Sequence, residues 1–401
     1  MSTPLNKLCE LIVDCPHSTA PDEGEGYPLI RTPNIGPGYL DLTDVHRVSK
    51  EAYDIRNARA VPQPMDLILV REAPAGNVGI IREEQWVCLG QRTVLIRPDQ
   101  KKVDPWFLNY YLNAPRQRHR LLSNANGATV SHVNMPIIRN LPVDMPSMEA
   151  QRHIASILMA YDNLIENNRR QIALLEEAAQ RLYKEWFVDQ RFPGHEDIEI
   201  VDGIPDGWQI VQIRDVCKKI QSGGTPSRKK ASFWDPGTVK WFKTGELQDC
   251  WLIEPEELIS DDGLAGSAAK LFPPLTIVMA IYASPTLGRL GVLNCEAAFN
   301  QAMLGFIVNE DVTTRDWLYW KLFELRTEFN LIARGAGQQN ISGEIVKSYE
   351  VLLPPRVLAQ KFSDLVGPMA ERRLKLQEQN LTVSEARDRL LPKLMSGEIE
   401  V

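Results

Sequence analysis

The feature that most constrains the fold of this 401-residue chain is an internal repeat. The segment at 127–146, GATVSHVNMPIIRNLPVDMP, is echoed at 335–355 by GAGQQNISGEIVKSYEVLLPP, which keeps the glycine, the paired aliphatic residues and the final proline. The polar letters differ between the two copies. Self-similarity at a long interval indicates that a structural unit has been duplicated, so we expect two related domains.

Four further pairs of segments recur in the same order and with similar spacing, and each is predicted to form a strand, a turn or a short helix. They are IRTPNI (30–35) and FKTGEL (242–247), ILVREAPAGNVGII (68–81) and VMAIYASPTLGRLGVL (278–293), GQRTVLIRPD (90–99) and NQAMLGFIVNED (300–311), and WFLNYYL (106–112) and WLYWKLF (317–323). Gly76 and Gly288 stand at the predicted turn of the second pair. The duplication therefore extends over both halves of the chain.

Each half is followed by a long segment with a heptad pattern. The first is predicted to be a helix over 149–187 with Ser147 as its N-cap, and the second helix begins after Pro354 and Pro355. Steps of four and three residues place the first seam at Ile154, Leu158, Tyr161, Ile165, Asn168, Ile172, Leu175, Leu182 and Trp186. The same steps place the second seam at Phe362, Leu365, Met369, Leu376, Val383 and Leu390, with Arg372, Gln379 and Ala386 between them.

Two long helices with matching seams favour an antiparallel coiled coil, in which a buried Asn168 fixes the register. Packing of the same faces in an ordinary helical bundle is the alternative. The predicted fold class is α+β, with two pseudo-repeated globular domains of mixed α/β structure separated by the coiled coil. The predicted segments are a first domain at 1–148, the first long helix at 149–187, an acidic linker and second domain at 188–355, and the second long helix and a C-terminal tail at 356–401.

Composition and motifs exclude several classes of protein. The formal net charge is −7, and the linker at 188–207 holds six acidic residues against one arginine, so any contact with DNA has to be made by a local basic patch. The six cysteines include no C-x-x-C pair, and no run approaches the roughly 20 apolar residues of a membrane span. No phosphate-binding loop, H-E-x-x-H zinc motif or N-P-P-Y methyltransferase motif occurs. We expect a cytoplasmic protein without membrane contact, metal site, cofactor or catalytic residues of its own.

Each half instead offers polar and basic residues at turns between apolar strands, as expected of a scaffold that carries contact loops. Arginine, lysine, asparagine and glutamine can bind base edges, whereas serine, threonine and lysine commonly bind phosphates. The predicted DNA contacts in the first half are Arg71, Asn77, Gln91, Arg116, Arg118, Arg120, Thr129, Ser131 and His132. Those in the second half are Thr225, Arg228, Lys229, Lys230, Lys243, Arg289, Gln301, Gln338, Gln339 and Asn340. For any one of them, an ordinary solvated turn is the alternative.

Several short motifs resemble a known family. They are WF…FPG…DGIPDGW (186–208), QSGGTPS (221–227), LLPP (352–355) and RLLPKLMSGEI (389–399). In a duplicated frame with two long helices, these motifs resemble the DNA specificity subunit of type I restriction-modification systems. Within that resemblance, recurrent positions are matched by Thr225, Pro226, Lys243, Thr244 and the loop of Gln338, Gln339 and Asn340. The first half departs from the pattern, with PHSTAPDEG at 16–24 in place of the Gly-Gly-Thr-Pro turn.

The resemblance implies that each domain reads one half of a split, asymmetric site in double-stranded DNA and that the coiled coil sets the spacer. It also implies two DNA adenine methyltransferase subunits as partners, which carry S-adenosylmethionine, and restriction subunits with ATP and Mg²⁺ that can join them. This chain would then be a non-catalytic subunit with no cofactor. A coiled-coil adaptor that binds other proteins without DNA is the rival hypothesis, and its support is the acidic net charge.

Overall fold

The structure is a computed structural model that describes residues 2–16, 18–72, 74–123, 132–282, 285–335 and 340–401. The chain divides into two compact units. The first unit consists of Met1–Glu166 with Leu381–Val401, and the second unit is Asn167–Asn380. Each unit combines a mixed α/β domain with one stretch of each of two long helices. The predicted α+β fold class is confirmed.

The domain of the first unit has three sheets, with strand orders β1-β9, β2-β8-β5-β6 and β4-β3-β7. Its strands are β1 (Ser2–Pro4), β2 (Cys9–Asp14), β3 (Tyr27–Ile30), β4 (Arg47–Val48), β5 (Leu67–Val70), β6 (Val78–Ile80), β7 (Cys88–Leu89), β8 (Thr93–Pro98) and β9 (Pro142–Asp144). Its helices are α1 (Lys50–Arg56), α2 (Pro105–Asn113), α3 (Pro115–Ser123) and α4 (Met135–Arg139). Helix α5 (Met148–Tyr183) follows and leads into a π-helical turn over Lys184–Val188.

The second unit repeats this plan with sheets ordered β12-β21, β13-β20-β17-β18-β15 and β16-β14-β19, and adds the hairpin β10-β11. Its strands are β10 (Ile200–Val201), β11 (Ile204–Pro205), β12 (Gln209–Gln212), β13 (Cys217–Ser222), β14 (Val239–Phe242), β15 (Cys250–Leu252), β16 (Glu257–Ile259), β17 (Ile277–Ala280), β18 (Leu290–Leu293), β19 (Ala298–Phe299), β20 (Met303–Val308) and β21 (Glu350–Leu353). Its helices are α6 (Asp261–Ala265), α7 (Arg315–Glu324), α8 (Arg326–Gly335), α9 (Gly343–Ser348) and α10 (Arg356–Ser396).

The two domains share details that only a common fold would reproduce. The central strands β5 and β17 are apolar and buried along their whole length, as expected of strands covered on both faces. The first strand of each main sheet bulges at the same place, at Cys9 and at Cys217. Gly76 and Gly288 both have positive φ, 105° and 80°, which glycine adopts without strain. The duplication predicted from the sequence is therefore present in the backbone.

The two long helices pair in an antiparallel sense within each unit. In the second unit, Gln171 and Glu176 of α5 bind Arg372 and Arg373 of α10. Further along α5, Phe187 of the π-helical turn packs edge-on against Phe362, with ring centroids 5.1 Å apart. In the first unit, the buried Ile154 and Leu158 share a core with Leu394 near the end of α10.

The first predicted seam agrees with the burial of α5. Ile154, Leu158, Ile165, Asn168 and Trp186 are buried, whereas Tyr161, Ile172, Leu175 and Leu182 are half-buried. The Ser147 hydroxyl caps the helix by accepting a hydrogen bond from the Ala150 N–H at 3.2 Å.

The second predicted seam needs a correction at alternate positions. Phe362 and Leu376 are buried and Met369, Val383 and Leu390 are half-buried, but Leu365 is 49% exposed. The inward positions between them are one residue later than predicted, at Val366, Arg373, Asn380 and Arg387 rather than Leu365, Arg372, Gln379 and Ala386. The sequence pattern misses this phase because three of the four inward residues are polar.

The family-like motif at 186–208 forms an aromatic cluster in the second unit. Trp186 and Phe187 contact Phe362 of α10, and Trp208 lies between Phe187 and Phe192 at centroid distances of 6.1 and 5.6 Å. All of these rings are less than a tenth exposed. The motif therefore serves to join the chain after α5 to α10 and to the second domain.

Candidate nucleic-acid interface

The equivalent glutamines of the two units make the same contact. The Gln91 amide donates to the Thr19 hydroxyl at 3.1 Å in the first unit, and the Thr225 hydroxyl donates to Gln301 in the second. Thr19 is thus the counterpart of Thr225, although the sequence around it, PHSTAPDEG, shows no likeness to QSGGTPS.

The two units bring that threonine into place by different means. In the second unit Gly223 and Gly224 pass so close to neighbouring backbone that a Cβ on either would lie 2.1 Å from a carbonyl oxygen. In the first unit Arg56, which is 5% exposed, binds the carbonyl oxygens of Pro16 and Ser18 at 3.4 and 3.0 Å. The segment that carries Thr19 is thus held by hydrogen bonds from a buried arginine. The segment that carries Thr225 is held by the close backbone packing that its two glycines allow.

A capped turn next to this contact presents a cation in each unit. The backbone N–H of Arg31 donates to the Asn34 side chain at 3.1 Å, and that of Lys243 donates to the Glu246 carboxylate at 2.5 Å. The following threonine begins a short 3-10 turn in both cases. In the second unit that threonine, Thr244, donates to Asn300 at 3.0 Å.

A groove of about 610 Å³ opens at these residues in the first unit. Among the described residues that line it, three are arginines and none is acidic; the lining comprises Thr19, Ala20, Leu29, Arg31, Thr32, Pro33, Ile35, Arg56, Pro74, Asn77, Gln91 and Arg92. Two polar atoms of the lining, Arg31 Nε and Asn77 Oδ1, are buried without a hydrogen-bond partner in the described structure. Unsatisfied buried groups of this kind are costly and point to a missing partner such as a ligand or an ordered water.

The predicted contact Arg71 is a buried anchor, 7% exposed. Its guanidinium donates to His132 Nε2 at 2.6 Å, and His132 Nδ1 lies 2.6 Å from Glu72. Because arginine can only donate and the carboxylate can only accept, His132 carries its proton on Nδ1. A backbone bridge also joins Glu72 to His132, so the network ties the backbone after β5 to the backbone before α4.

The remaining predicted contacts of the first half are distributed on α3 and beyond it. Arg116 is exposed on α3, whereas Arg118 and Arg120 are half-buried. The stem of Arg118 lies beside the Gly76 turn, so this part of α3 is close to Asn77. Thr129 and Ser131 lie outside the described residues.

The cations of the second unit are held by carboxylates. Lys243 Nζ lies 2.6 Å from Glu256 and 3.0 Å from Glu257, and Glu257 also binds Arg228. The guanidinium of Arg228 stacks 3.6 Å from the ring centroid of Trp234, a cation–π contact that fixes its direction. The Arg228 hydrogen bond, followed by that of Lys243, lowers the pKa of Glu257, which keeps this carboxylate charged.

The other predicted contacts of the second half make few contacts within the described structure. Lys229 and Lys230 are exposed, with Lys230 over the Phe233 ring. Arg289 occupies the position that Asn77 has in the first unit and donates to Gln248 at 3.2 Å. Asn340 forms a backbone bridge with Tyr282, as His132 does with Glu72. Gln338 and Gln339 lie outside the described residues.

Several residues of this surface carried no signal in the sequence. The repeat aligns Arg31 with Lys243 but does not predict it as a contact, and PHSTAPDEG does not single out Thr19 as the counterpart of Thr225. Glu256 and Glu257 reach Lys243 because β14 pairs with β16, which places Glu257 opposite Trp241. Only the register of these two strands reveals them.

The described residues contain no cluster of histidine, cysteine or acidic side chains suited to a metal ion, and none of their helices is long and apolar enough to cross a membrane. All six cysteines are free. Burial raises the pKa of Cys9 and of Cys217 to about 12, so both remain protonated thiols at neutral pH. What the surface offers is hydrogen bonding and positive charge.

Comparison with known proteins agrees with this arrangement. The family described as type I restriction modification DNA specificity domain matches two stretches, 7–177 and 205–362. The MjaIX specificity subunit of Methanocaldococcus jannaschii is 25% identical over 349 residues, which cover 84% of this chain and 78% of that protein. The HindI specificity subunit of Haemophilus influenzae is 23% identical over 371 residues, covering 76% and 80%.

The fold has a solved counterpart in the type I restriction-modification S subunit from M. genitalium. That crystal structure aligns with a TM-score of 0.61 at 14% sequence identity and covers 98% of this chain and 95% of the other. The two family matches take up most of both halves of the sequence. This chain belongs to the family of type I restriction-modification DNA specificity proteins.

Proposed function

We propose that this chain is the DNA-reading subunit of a type I restriction-modification complex and that it recognises a bipartite, asymmetric site in double-stranded DNA. The first domain reads one half-site and the second domain reads the other. The observation that carries the proposal is the shared Thr19–Gln91 and Thr225–Gln301 contact, set in one framework with different polar side chains around it.

Equivalent positions of the two domains offer different hydrogen-bonding groups. Asn77 in the first corresponds to Arg289 in the second, because both accept the backbone hydrogen bond across the same turn. Asparagine is suited to the edge of adenine and arginine to that of guanine. Recognition of two different half-sites requires two domains that share a scaffold but differ at the residues that contact the bases.

Positive charge around these positions would bind the DNA backbone. Arg31, Arg92, Arg116, Lys229 and Lys230 are half-buried or exposed and suited to phosphate contacts. The unsatisfied Arg31 Nε at the first groove supplies a donor for a phosphate, whereas the unsatisfied Asn77 Oδ1 can accept from the amino group of a base.

The same proposal assigns the chemistry to other subunits. Two DNA adenine methyltransferase subunits carry S-adenosylmethionine, and restriction subunits that use ATP and Mg²⁺ can join them. This chain contributes binding and geometry, with no catalytic residue or cofactor, and the complex works in the cytoplasm, where its DNA is.

We further propose that the long helices set the spacer between half-sites. Removing one heptad from α5 and the facing heptad from α10 shortens the pair by about 10 Å at roughly 1.5 Å per residue. The spacer should then decrease by about three base pairs, at roughly 3.4 Å per base pair. A map of methylated adenines in a host that carries the variant with its modification subunits measures the spacer. An unchanged spacer would contradict this role.

One set of observations favours the rival hypothesis of a protein-binding adaptor. The net charge is −7, and Lys243 and Arg228 of the second unit are held by acidic residues. An electrophoretic shift with the purified modification complex separates the two. Sequence-dependent retardation of duplex DNA supports recognition, whereas absence of any shift at low salt supports the adaptor.

A further inference from the structure

Helix α10 carries three inward-facing polar residues at intervals of seven. Arg373 is buried, and Asn380 and Arg387 are half-buried. Each makes a hydrogen bond to a polar residue of α5, namely Glu176, Asn168 and Asp162 in the same order. The inward positions before and after the three, Val366 and Leu394, are apolar.

Asn168 is the most buried member of these layers, at 2% exposure. Its amide nitrogen donates to Gln379 Oε1 and to Asn380 Oδ1, both at 2.9 Å, so both amide hydrogens are used. All three residues belong to the second unit. A shift of either helix would leave this amide buried without partners.

The Arg373 layer also reaches the second domain. Its guanidinium donates to Glu176 at 2.9 Å and to the backbone carbonyl of Asp249 at 2.8 Å. The Asp249 carboxylate in turn binds Arg326 of α8. One arginine therefore joins α5, α10 and the loop before β15.

The Arg387 layer has the same form in the first unit. Arg387 donates to Asp162 Oδ1 at 2.6 Å, and the hydroxyl of the buried Tyr110, on α2, donates to Asp162 Oδ2 at 2.5 Å. Helix α2 is part of the first domain. The layer thus joins that domain to both long helices at one carboxylate.

Apolar seams and polar layers differ in what they permit. A seam of aliphatic residues can slip by a heptad and find similar partners again, whereas a buried polar group that loses its partner costs free energy. Replacing such a group by an apolar residue often increases stability and removes the preference for one register. On this argument, the apolar seam residues stabilise the coiled coil, whereas its polar layers specify how the two helices align.

We propose that the layers at Asn168, Arg373 and Arg387 fix the register of the two helices and, through it, the single spacer length that the complex accepts. These are positioning residues that determine specificity for spacing without contacting DNA. The inference rests on the proposed function, since it presupposes a bipartite site.

The test uses the full chain with its modification subunits and a double variant, Asn168→Leu with Asn380→Leu. We expect a thermal unfolding temperature equal to or above that of the wild type and unchanged half-site sequences. A slip by one heptad moves a helix by about 10 Å, or about three base pairs. Methylation at sites whose spacer is about three base pairs longer or shorter should therefore rise about tenfold relative to the preferred spacer, a ratio equivalent to about 1.4 kcal/mol. Arg389→Ala, which removes an exposed pair with Glu385 on the same helix, is the matched control and should change neither quantity.

An independent layer provides a second test. Arg387→Asp should relax the spacer, and adding Asp162→Arg should restore it, which a simple loss of stability would not do. Spacer preference equal to the wild type in the folded double-leucine variant, or relaxation by Arg387→Asp that the second change does not reverse, overturns the inference. A wild-type methylation map without bipartite sites instead refutes the proposed function.

Discussion

The two units surround the cation of the capped turn with different side chains. In the first, Arg31 lies at a groove whose described lining has no acidic residue, and its Nε has no hydrogen-bond partner there. In the second, Lys243 at the equivalent turn lies between Glu256 and Glu257, and Arg228 shares the second of these carboxylates. Both cations stand at the start of a 3-10 turn that is capped in the same way.

The duplicated framework therefore determines the position of these side chains, but it does not determine the electrostatic potential around them. A phosphate that approaches Lys243 has to compete with the two carboxylates bound to it, whereas no acidic residue is among the described residues that line the groove at Arg31. We therefore expect the first domain to contribute more to non-specific affinity for DNA, and the second domain to depend more on contacts with particular bases.

The largest effect, a loss of stability, is expected when a buried residue of the first unit is replaced by the residue at the equivalent position of the second unit. Arg71 stands where the second unit has Ile281, since the two carbonyls accept equivalent hydrogen bonds from Val133 and Ile341. Arg71→Ile leaves His132 without its donor and should reduce the free energy of unfolding by about 2 to 3 kcal/mol. Denaturant unfolding measures the loss, with Ile281→Val as control at about 1 kcal/mol. Equal losses would mean that the network adds no stability.

A smaller effect should distinguish the two readers. Asn77→Ala and Arg289→Ala remove equivalent side chains and should each weaken base discrimination by about 1 to 2 kcal/mol, a factor of roughly 5 to 30, at one half-site only. Methylated-adenine maps of the two variants would show relaxed sequence preference in different halves of the site. Relaxation of both halves by either variant would indicate a structural role.

The smallest effect concerns the carboxylates of the second unit. Glu257→Gln should free Arg228 and leave Lys243 paired with Glu256 alone, and it should increase affinity for DNA by about threefold, with a steeper dependence on salt. Because the pKa of Glu257 is lowered, it is charged at neutral pH, and the wild type should approach the variant only as pH falls below the usual carboxylate range. Titration of labelled duplex at several pH values tests this. Glu254→Gln, which frees only Lys240, is the control.

Much of the fold could be predicted because its signals are local. Apolar strands, the glycine turns at Gly76 and Gly288 and the heptads of α5 are all visible in short windows of sequence. The phase of α10 could not be read in the same way. Hydropathy places Leu365 inside, whereas the actual inward series continues through Arg373, whose partner is nearly 200 residues away.

The candidate site was less predictable than the fold for a similar reason. Its residue types, and turn positions such as Asn77 and Arg289, follow from the repeat. The role of Arg71 as a buried anchor depends on His132, which is 61 residues away, and the pairing of Lys243 with Glu256 depends on how two neighbouring strands align. Such contacts leave no pattern in a single sequence.

The division of the chain has a consequence for inheritance. The second unit is one continuous stretch, Asn167–Asn380, whose ends fall inside the two long helices. A gene exchange with crossovers at these ends would transfer Asn168 together with Gln379 and Asn380, and would leave Asp162 with Arg387 in the recipient. These polar pairs would be passed on whole, so a cassette encoding a new reader could arrive without mismatching them.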